Sequence, residues 1–166
     1  MPKNELNIEL RLNKEITSVV KNAKIDKRFF QFNNVLTFTE FFSNRLLVVS
    51  LIRQGIPYSL FNLIQMYAPF SENDWSYFLD ISAKSLQRYK QSARHFKSLQ
   101  SEKIIEMAEV TNIGLEVFGD ISKFKLWLDT PNFALRMLKP IELLKDSYGK
   151  EMVLSELTRI NHGIFS

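Results

Sequence analysis

Ile104, Ala108, Thr111, Leu115 and Phe118 fall at i, i+4, i+7, i+11 and i+14, and Gly119 follows them directly. Only a repeat of 3.6 residues puts such positions along one side of a chain. A glycine next in line supplies the left-handed conformation that ends a helix. No strand signal competes with it, because nowhere in the 166 residues does an apolar/polar alternation run between hairpin turns. The chain is therefore expected to be all-α, with material for one or two small domains.

Caps and stops divide the rest into helices. Residues 1–33 form a polar N-terminal arm, either frayed or carrying one weak helix near Glu9–Lys21. From Thr39 a helix is expected with Phe42, Leu46, Val49 and Ile52 on successive turns, stopped at Gln54-Gly55. Pro57 opens the next in its first turn, where a missing N–H is harmless, and Leu60, Leu63, Ile64 and Tyr67 share its face. Ser71 reads as an N-cap favoured by Glu72 and Asp74, Ser82 as another, and Ser101 as the start of the long helix that Gly119 ends. Short helices over 121–128, from 131 or 133 to 138, and over 140–145 lead to a final one over 149–161.

Composition narrows the function. Cysteine is absent, so disulfides and thiolate chemistry are excluded. The two histidines, His95 and His162, have no metal-ligand spacing, and five glycines form no phosphate-cradling loop. Glu102, Glu106 and Glu109 lie on neighbouring helical turns without a histidine partner, and read as a solvated helix face. Catalysis, metals and cofactors are not expected. No apolar run approaches the roughly 20 residues of a membrane span and the N-terminus lacks a signal-peptide layout, so a cytoplasmic protein without membrane contact is the expectation. The formal net charge of +4 is unevenly spread: residues 1–100 hold 14 Lys/Arg against 8 Asp/Glu (+6), and residues 101–166 hold 8 against 10 (−2). A polyanion is the natural partner for the front half.

Residues 71–92 give that partner a candidate seat. Two short helices joined by Leu79-Asp80-Ile81-Ser82 have a helix-turn-helix layout. Ser76 is small enough for the helix crossing, Asp80 can reach the left-handed region, and Leu86 and Ile81 face back into the pair. Between Ala83 and Lys97 stand Lys84, Arg88, Lys90, Arg94 and Lys97 and no acidic residue. Ser82, Lys84, Ser85, Gln87, Arg88, Lys90 and Gln91 are the candidate DNA contacts, since phosphates take Lys, Arg and helix N-termini while base edges take Arg, Gln and Ser. Trp75, Tyr77 and Phe78 belong to a core or to a dimer face; a dimer would place two such helices about one DNA turn apart on a palindromic operator.

The order of motifs in the second half resembles a known family. Gly55-Ile56-Pro57, Leu79-Asp80-Ile81-Ser82 with Arg88, Val117-Phe118-Gly119, Trp127-Leu128, Thr130-Pro131-Asn132, Pro140-Ile141-Glu142-Leu143-Leu144, Gly149, Val153, Leu157, Ile160 and His162-Gly163 follow the plan of Xre/ParS/MbcA antitoxins. That plan is a helical N-terminal region, a helix-turn-helix, a long helix ending in Phe-Gly, and a toxin-binding domain. Three places depart from it: Asp80 stands where glycine is usual, paired arginines are missing around Tyr89-Lys90, and Leu135-Arg136-Met137-Leu138 replaces a glycine-containing turn. Arginine and methionine do not take positive φ comfortably.

The resemblance implies a binding protein that pairs with a RES-domain toxin, an enzyme consuming NAD⁺, covers its active-site entrance and represses its own operon through the helix-turn-helix; a homodimer is the expected assembly. The expected division is an arm (1–33), a helical domain containing the helix-turn-helix (34–100), and the connecting helix with a small helical toxin-binding domain (101–166). Val153 and Leu157 are assigned to the core of that domain. Arg159, Ile160, His162, Gly163, Ile164 and Phe165 are assigned to the toxin, Arg159 and His162 as polar contacts and Ile164 and Phe165 because apolar residues at an exposed end otherwise lack a purpose. The alternative is a stand-alone helix-turn-helix regulator whose last third only dimerises.

Overall fold

The computed structural model describes residues 3–23 and 35–163. They form ten α-helices and one 3-10 turn, with no strand among them. The expected all-α class is what is found.

α1 (Lys3–Asn22) is longer than the weak helix read from the sequence. Its polar appearance hides one apolar line, Leu12, Ile16 and Val20, which is buried against α4 (Tyr58–Tyr67). α1 also grips the segment leading to α2 (Phe38–Ser43): Thr17 Oγ1 accepts from Leu36 N at 2.9 Å and Asn13 Oδ1 from Phe38 N at 2.8 Å. Thr37 caps α2 reciprocally with Glu40, and the Thr37 backbone N–H and hydroxyl together hold the Glu40 carboxyl below its usual range.

The single helix expected from Thr39 to Gln54 is in fact two. Asn44 leaves helical geometry (φ −97°, ψ 84°) and its Oδ1 caps α3 (Arg45–Gln54) by accepting from Leu47 N at 3.2 Å. The break shifts the helical phase. α3 buries Leu47, Val48 and Leu51, whereas Leu46 and Val49, expected inside, are 70% and 41% exposed.

Gly55 ends α3 at φ 89°, where a Cβ would stand 2.3 Å from the Phe96 carbonyl oxygen. That close approach lets Ile56 and Phe96 join: Phe96 N donates to Ile56 O at 2.8 Å, and Ile56 N donates to Ser101 Oγ at 2.8 Å. Ser101 is therefore not a helix start. It lies buried inside α7 (Ser98–Phe118), which begins at Ser98. Pro57 likewise sits just ahead of α4, as its N-cap, rather than inside the first turn.

α7 is the axis of the molecule. It packs against α3, α4, α5 (Glu72–Leu79), α8 (Ile121–Asp129) and α10 (Ser147–Asn161). A helix enclosed on several sides cannot be amphipathic in the ordinary way. The one expected stripe is thus too narrow: Ile105, Met107 and Val110 are buried beside Ile104, Ala108 and Thr111, while Leu115 and Phe118 are only half-buried. Gly114 is buried without a side chain because the Phe124 ring of α8 occupies the place its Cβ would take, 2.3 Å away. Gly119 ends α7 in the left-handed region, as expected.

Glu106 and Glu109 are not a solvated face. Glu106 pairs with Lys103 and with Lys150 of α10, and Glu109 pairs with Arg45 of α3 at 2.9 Å. These pairs tie neighbouring helices to α7. One continuous core runs from Leu12 of α1 to Leu157 of α10 through Phe61, Trp75, Phe96, Ala108 and Phe124.

Candidate functional site: a basic helix and an exposed apolar face

α5 and α6 (Ala83–Ser92) are built by their punctuation. Ser71 and Asp74 form a reciprocal capping box at the start of α5. Asp80 ends it in the left-handed region, φ 52° and ψ 43°, while Ile81 N reaches back to Ser76 O at 3.2 Å. Ser82 Oγ then accepts from Ser85 N at 3.1 Å and donates to Ser85 Oγ at 3.0 Å. Ser82 and Ser85 are therefore both engaged in starting α6.

The inner side of this pair is aromatic. Trp75 is fully buried, edge-on to Phe61 and Phe70, and Phe78 packs on Phe70. Tyr89 stacks on Phe96 with centroids 4.3 Å apart, and Leu86 is buried. Of the three bulky residues in α5, Trp75 and Phe78 thus belong to the core, while Tyr77 is half exposed with the Lys145 ammonium 4.1 Å above its ring. Burial, and secondarily the Glu72 carboxylate, raise the pKa of Tyr58 behind α6.

With its apolar side fixed, α6 can present only the other. Lys84, Gln87, Arg88, Lys90 and Gln91 are all exposed, Ser82 is exposed and Ser85 half-buried. Arg94 and Lys97 continue the exposed basic run beyond the helix. This surface can neutralise phosphates and offers amide side chains to base edges.

The chain after α8 is different in kind. Asn132 opens a short closed loop: its Oδ1 accepts from Ala134 N at 2.8 Å, its carbonyl from Met137 N at 2.8 Å, and its N–H donates to Leu138 O at 3.1 Å. The helix expected to run to Leu138 is only a 3-10 turn, Phe133–Leu135, because Arg136 (φ 55°) and Met137 (φ 65°) both turn left-handed. The loop thus takes positive φ with ordinary residues. α9 (Pro140–Leu143) follows, shorter than expected, and Gly149 lets α10 press on it, since a Cβ there would lie 2.1 Å from Leu143 O.

Val153 and Leu157 of α10 are fully buried, as assigned. One position back on the same helix lies a second line, Tyr148, Met152, Ser155 and Arg159, which borders an open groove of about 470 Å³ with Ala134, Leu135, Glu151 and Glu156. Glu156 is buried at its floor, and its carboxylate accepts from Arg159 Nη1 at 3.0 Å. Two large apolar side chains of its lining are uncovered, Tyr148 at 84% and Met152 near half, and the segment that supplies Ala134 and Leu135 leaves Phe133 80%, Met137 63% and Leu138 near half exposed.

The residues assigned to a protein partner from the sequence meet this face at one end. Arg159 lines the groove, Ile160 is half-buried, and His162 and Gly163 are exposed beyond it. Ile164 and Phe165 lie outside the described residues. Phe133, Met137, Tyr148 and Met152 were not singled out. Their signal was present on α10, where Tyr148, Met152, Ser155 and Arg159 fall at i, i+4, i+7 and i+11, parallel to the buried Val153–Leu157 line.

Comparison with known proteins bears most directly on the second region. Residues 114–163 match the antitoxin Xre/MbcA/ParS C-terminal toxin-binding domain. The antitoxin Xre of Photorhabdus laumondii subsp. laumondii is 25% identical over 118 residues, 70% of this chain and 80% of that protein. The antitoxin Xre of Yersinia enterocolitica serotype O:8 is 27% identical over 120 residues, 72% and 81% of the two chains. Among solved structures, the M. tuberculosis MbcT–MbcA toxin–antitoxin complex contains a similar chain, 24% identical, with a TM-score of 0.49 over 58% of this chain and 86% of that one.

Proposed function

We propose that this chain, whose residues 114–163 match the Xre/MbcA/ParS C-terminal toxin-binding domain, is an antitoxin that neutralises a cognate toxin through the face built by residues 133–138 and α10. The observation that supports this most directly is the exposure of Tyr148 and Met152 on a groove inside the matched domain, together with exposed Phe133, Met137 and Leu138 in the segment that supplies the groove's Ala134 and Leu135. Exposed apolar patches of this kind mark protein interaction sites, and aromatic and methionine side chains are the residues such interfaces favour. Arg159, Ile160, His162 and Gly163, with Ile164 and Phe165 after them, extend the same contact at the end of α10. The toxin is a RES-type enzyme that consumes NAD⁺, and the antitoxin acts by covering its active-site entrance; this part of the reading rests on the family resemblance.

In the same reading α6 holds operator DNA. Lys84, Arg88 and Lys90 meet phosphates, Gln87 and Gln91 meet base edges, and the Ser82–Ser85 cap sets the N-terminus of the helix against the backbone. A homodimer on a palindromic operator then represses the operon that encodes both partners.

Co-expression with the toxin from the adjacent reading frame tests the first part. The full chain restores growth and co-purifies with the toxin; a toxin that still kills, or that elutes alone, sinks the reading. Promoter binding tests the second, because phosphate contacts impose a salt dependence that grows with their number. Binding that does not respond to salt removes α6 from the account.

A further inference from the structure

Arg136 and Met137 occupy the left-handed region in succession, at φ 55° and 65°. Side chains with a Cβ are disfavoured there, and glycine is at ease. The loop nevertheless holds them firmly. Arg136 N donates to Phe133 O at 3.0 Å, Met137 N to Asn132 O at 2.8 Å and Leu138 N to Leu135 O at 3.1 Å, while buried Leu135 anchors the turn from inside. Backbone that is strained and yet over-determined in this way concentrates at working sites.

The two side chains do nothing visible for the fold. Both are exposed, Met137 by 63%, and among the described residues the Arg136 guanidinium has no hydrogen bond or ion pair. Glycine at either place would keep the loop's backbone hydrogen bonds and relieve its strain. What it would lose is a cation and a flexible thioether standing beside Phe133, in a stretch, 130–141, that contains Arg136 and Lys139 and no acidic residue.

We propose that Arg136 and Met137 are specificity-determining contacts for the toxin, presented in a preformed loop to a surface that offers a carboxylate beside an apolar hollow. The inference rests on the antitoxin reading above and deepens it. Methionine adapts to an irregular apolar surface, and guanidinium pairs with carboxylate in a fixed fork. A loop already fixed in its bound shape avoids part of the ordering cost of association.

The test uses the full chain and the purified toxin from the adjacent reading frame, with affinity by titration calorimetry and Tm by thermal unfolding. Arg136→Gly and Met137→Gly are each expected to raise Tm, by about 2–4 °C, and to weaken toxin binding about tenfold or more. Arg136→Gly also flattens the salt dependence of that binding, and Arg136→Lys recovers part of the loss. Met152→Glu, in the groove outside the loop, is the control. If it abolishes binding while both glycine variants bind as the wild type does, the interface stands and the assignment of Arg136 and Met137 is overturned. A fall in Tm for both glycine variants overturns it too, since the side chains would then serve the fold. If Met152→Glu and both glycine variants all bind normally, or the wild-type chain does not bind this toxin, the antitoxin face itself is wrong.

Discussion

α6 and α10 solve opposite problems on one core. α6 buries Leu86 and stacks Tyr89 on Phe96, and beyond Ala83 shows solvent only polar and basic side chains. α10 buries Val153 and Leu157 equally well, yet shows solvent Tyr148 and Met152 next to exposed Phe133 and Met137. A charged surface attracts a polyanion over distance and tolerates water; an apolar surface gains only when water leaves it. The contrast fits the two proposed partners by chemistry: nucleic acid at α6, a protein at α10. Both faces are carried by α7, which packs directly on α5 and on α10.

Removing the shared support should break the contrast outright. Trp75→Ala empties the centre of the aromatic cluster and is expected to cost about 3–5 kcal/mol. Because Trp75 lies in the one core that joins both regions, toxin binding and DNA binding fall together, and urea unfolding shows an earlier midpoint. Retained toxin binding in that variant would mean that the α10 face stands independently of the helix-turn-helix.

Changes on one face alone should sharpen it. Met152→Glu replaces an apolar lining side chain with a third carboxylate beside Glu151 and Glu156, and a loss of about 2 kcal/mol, roughly 30-fold in toxin affinity, is expected. Promoter affinity stays as it was. Conversely, Lys84→Ala and Arg88→Ala each lower the salt slope of promoter binding by about 0.9, with toxin affinity unmoved. A shared loss from either change would show that the two surfaces are coupled. The smallest effect belongs to Ser71→Ala, which removes the capping box of α5 at about 1 kcal/mol; it lowers Tm slightly and leaves both affinities alone.

Some of this was written in single residues. Ser71, Asp80, Ser82, Gly55 and Gly119 mark helix ends by local chemistry, and all five do so here. A hydroxyl that can cap, or a residue that tolerates positive φ, acts on its own few neighbours, so the sequence alone is enough to place it. The same holds for the acid-free basic run of α6, whose exposure follows once its apolar line is known.

Phase and enclosure were not local. Asn44 interrupts the expected Thr39–Gln54 helix, and with it the identities of the buried residues change from Leu46 and Val49 to Leu47, Val48 and Leu51. Nothing in the local pattern distinguishes the two sets; packing on α7 does. Ser101 was misplaced for a related reason, since a hydroxyl that satisfies Ile56 N across 45 residues looks, in sequence, like one that caps its own helix.

The all-α class, the helix ends and the order of motifs that resembles the antitoxin plan were therefore determined by the sequence itself, because they depend on propensities and spacings a few residues long. The exposed face was decided only by tertiary structure. Tyr148 and Met152 carry the same apolar chemistry as Val153 and Leu157, and whether such a side chain is core or contact depends on which side α7 and α9 close over. Arg136 and Met137 make the same point on the backbone: their residue types argue against positive φ, and the hydrogen bonds around Asn132 impose it.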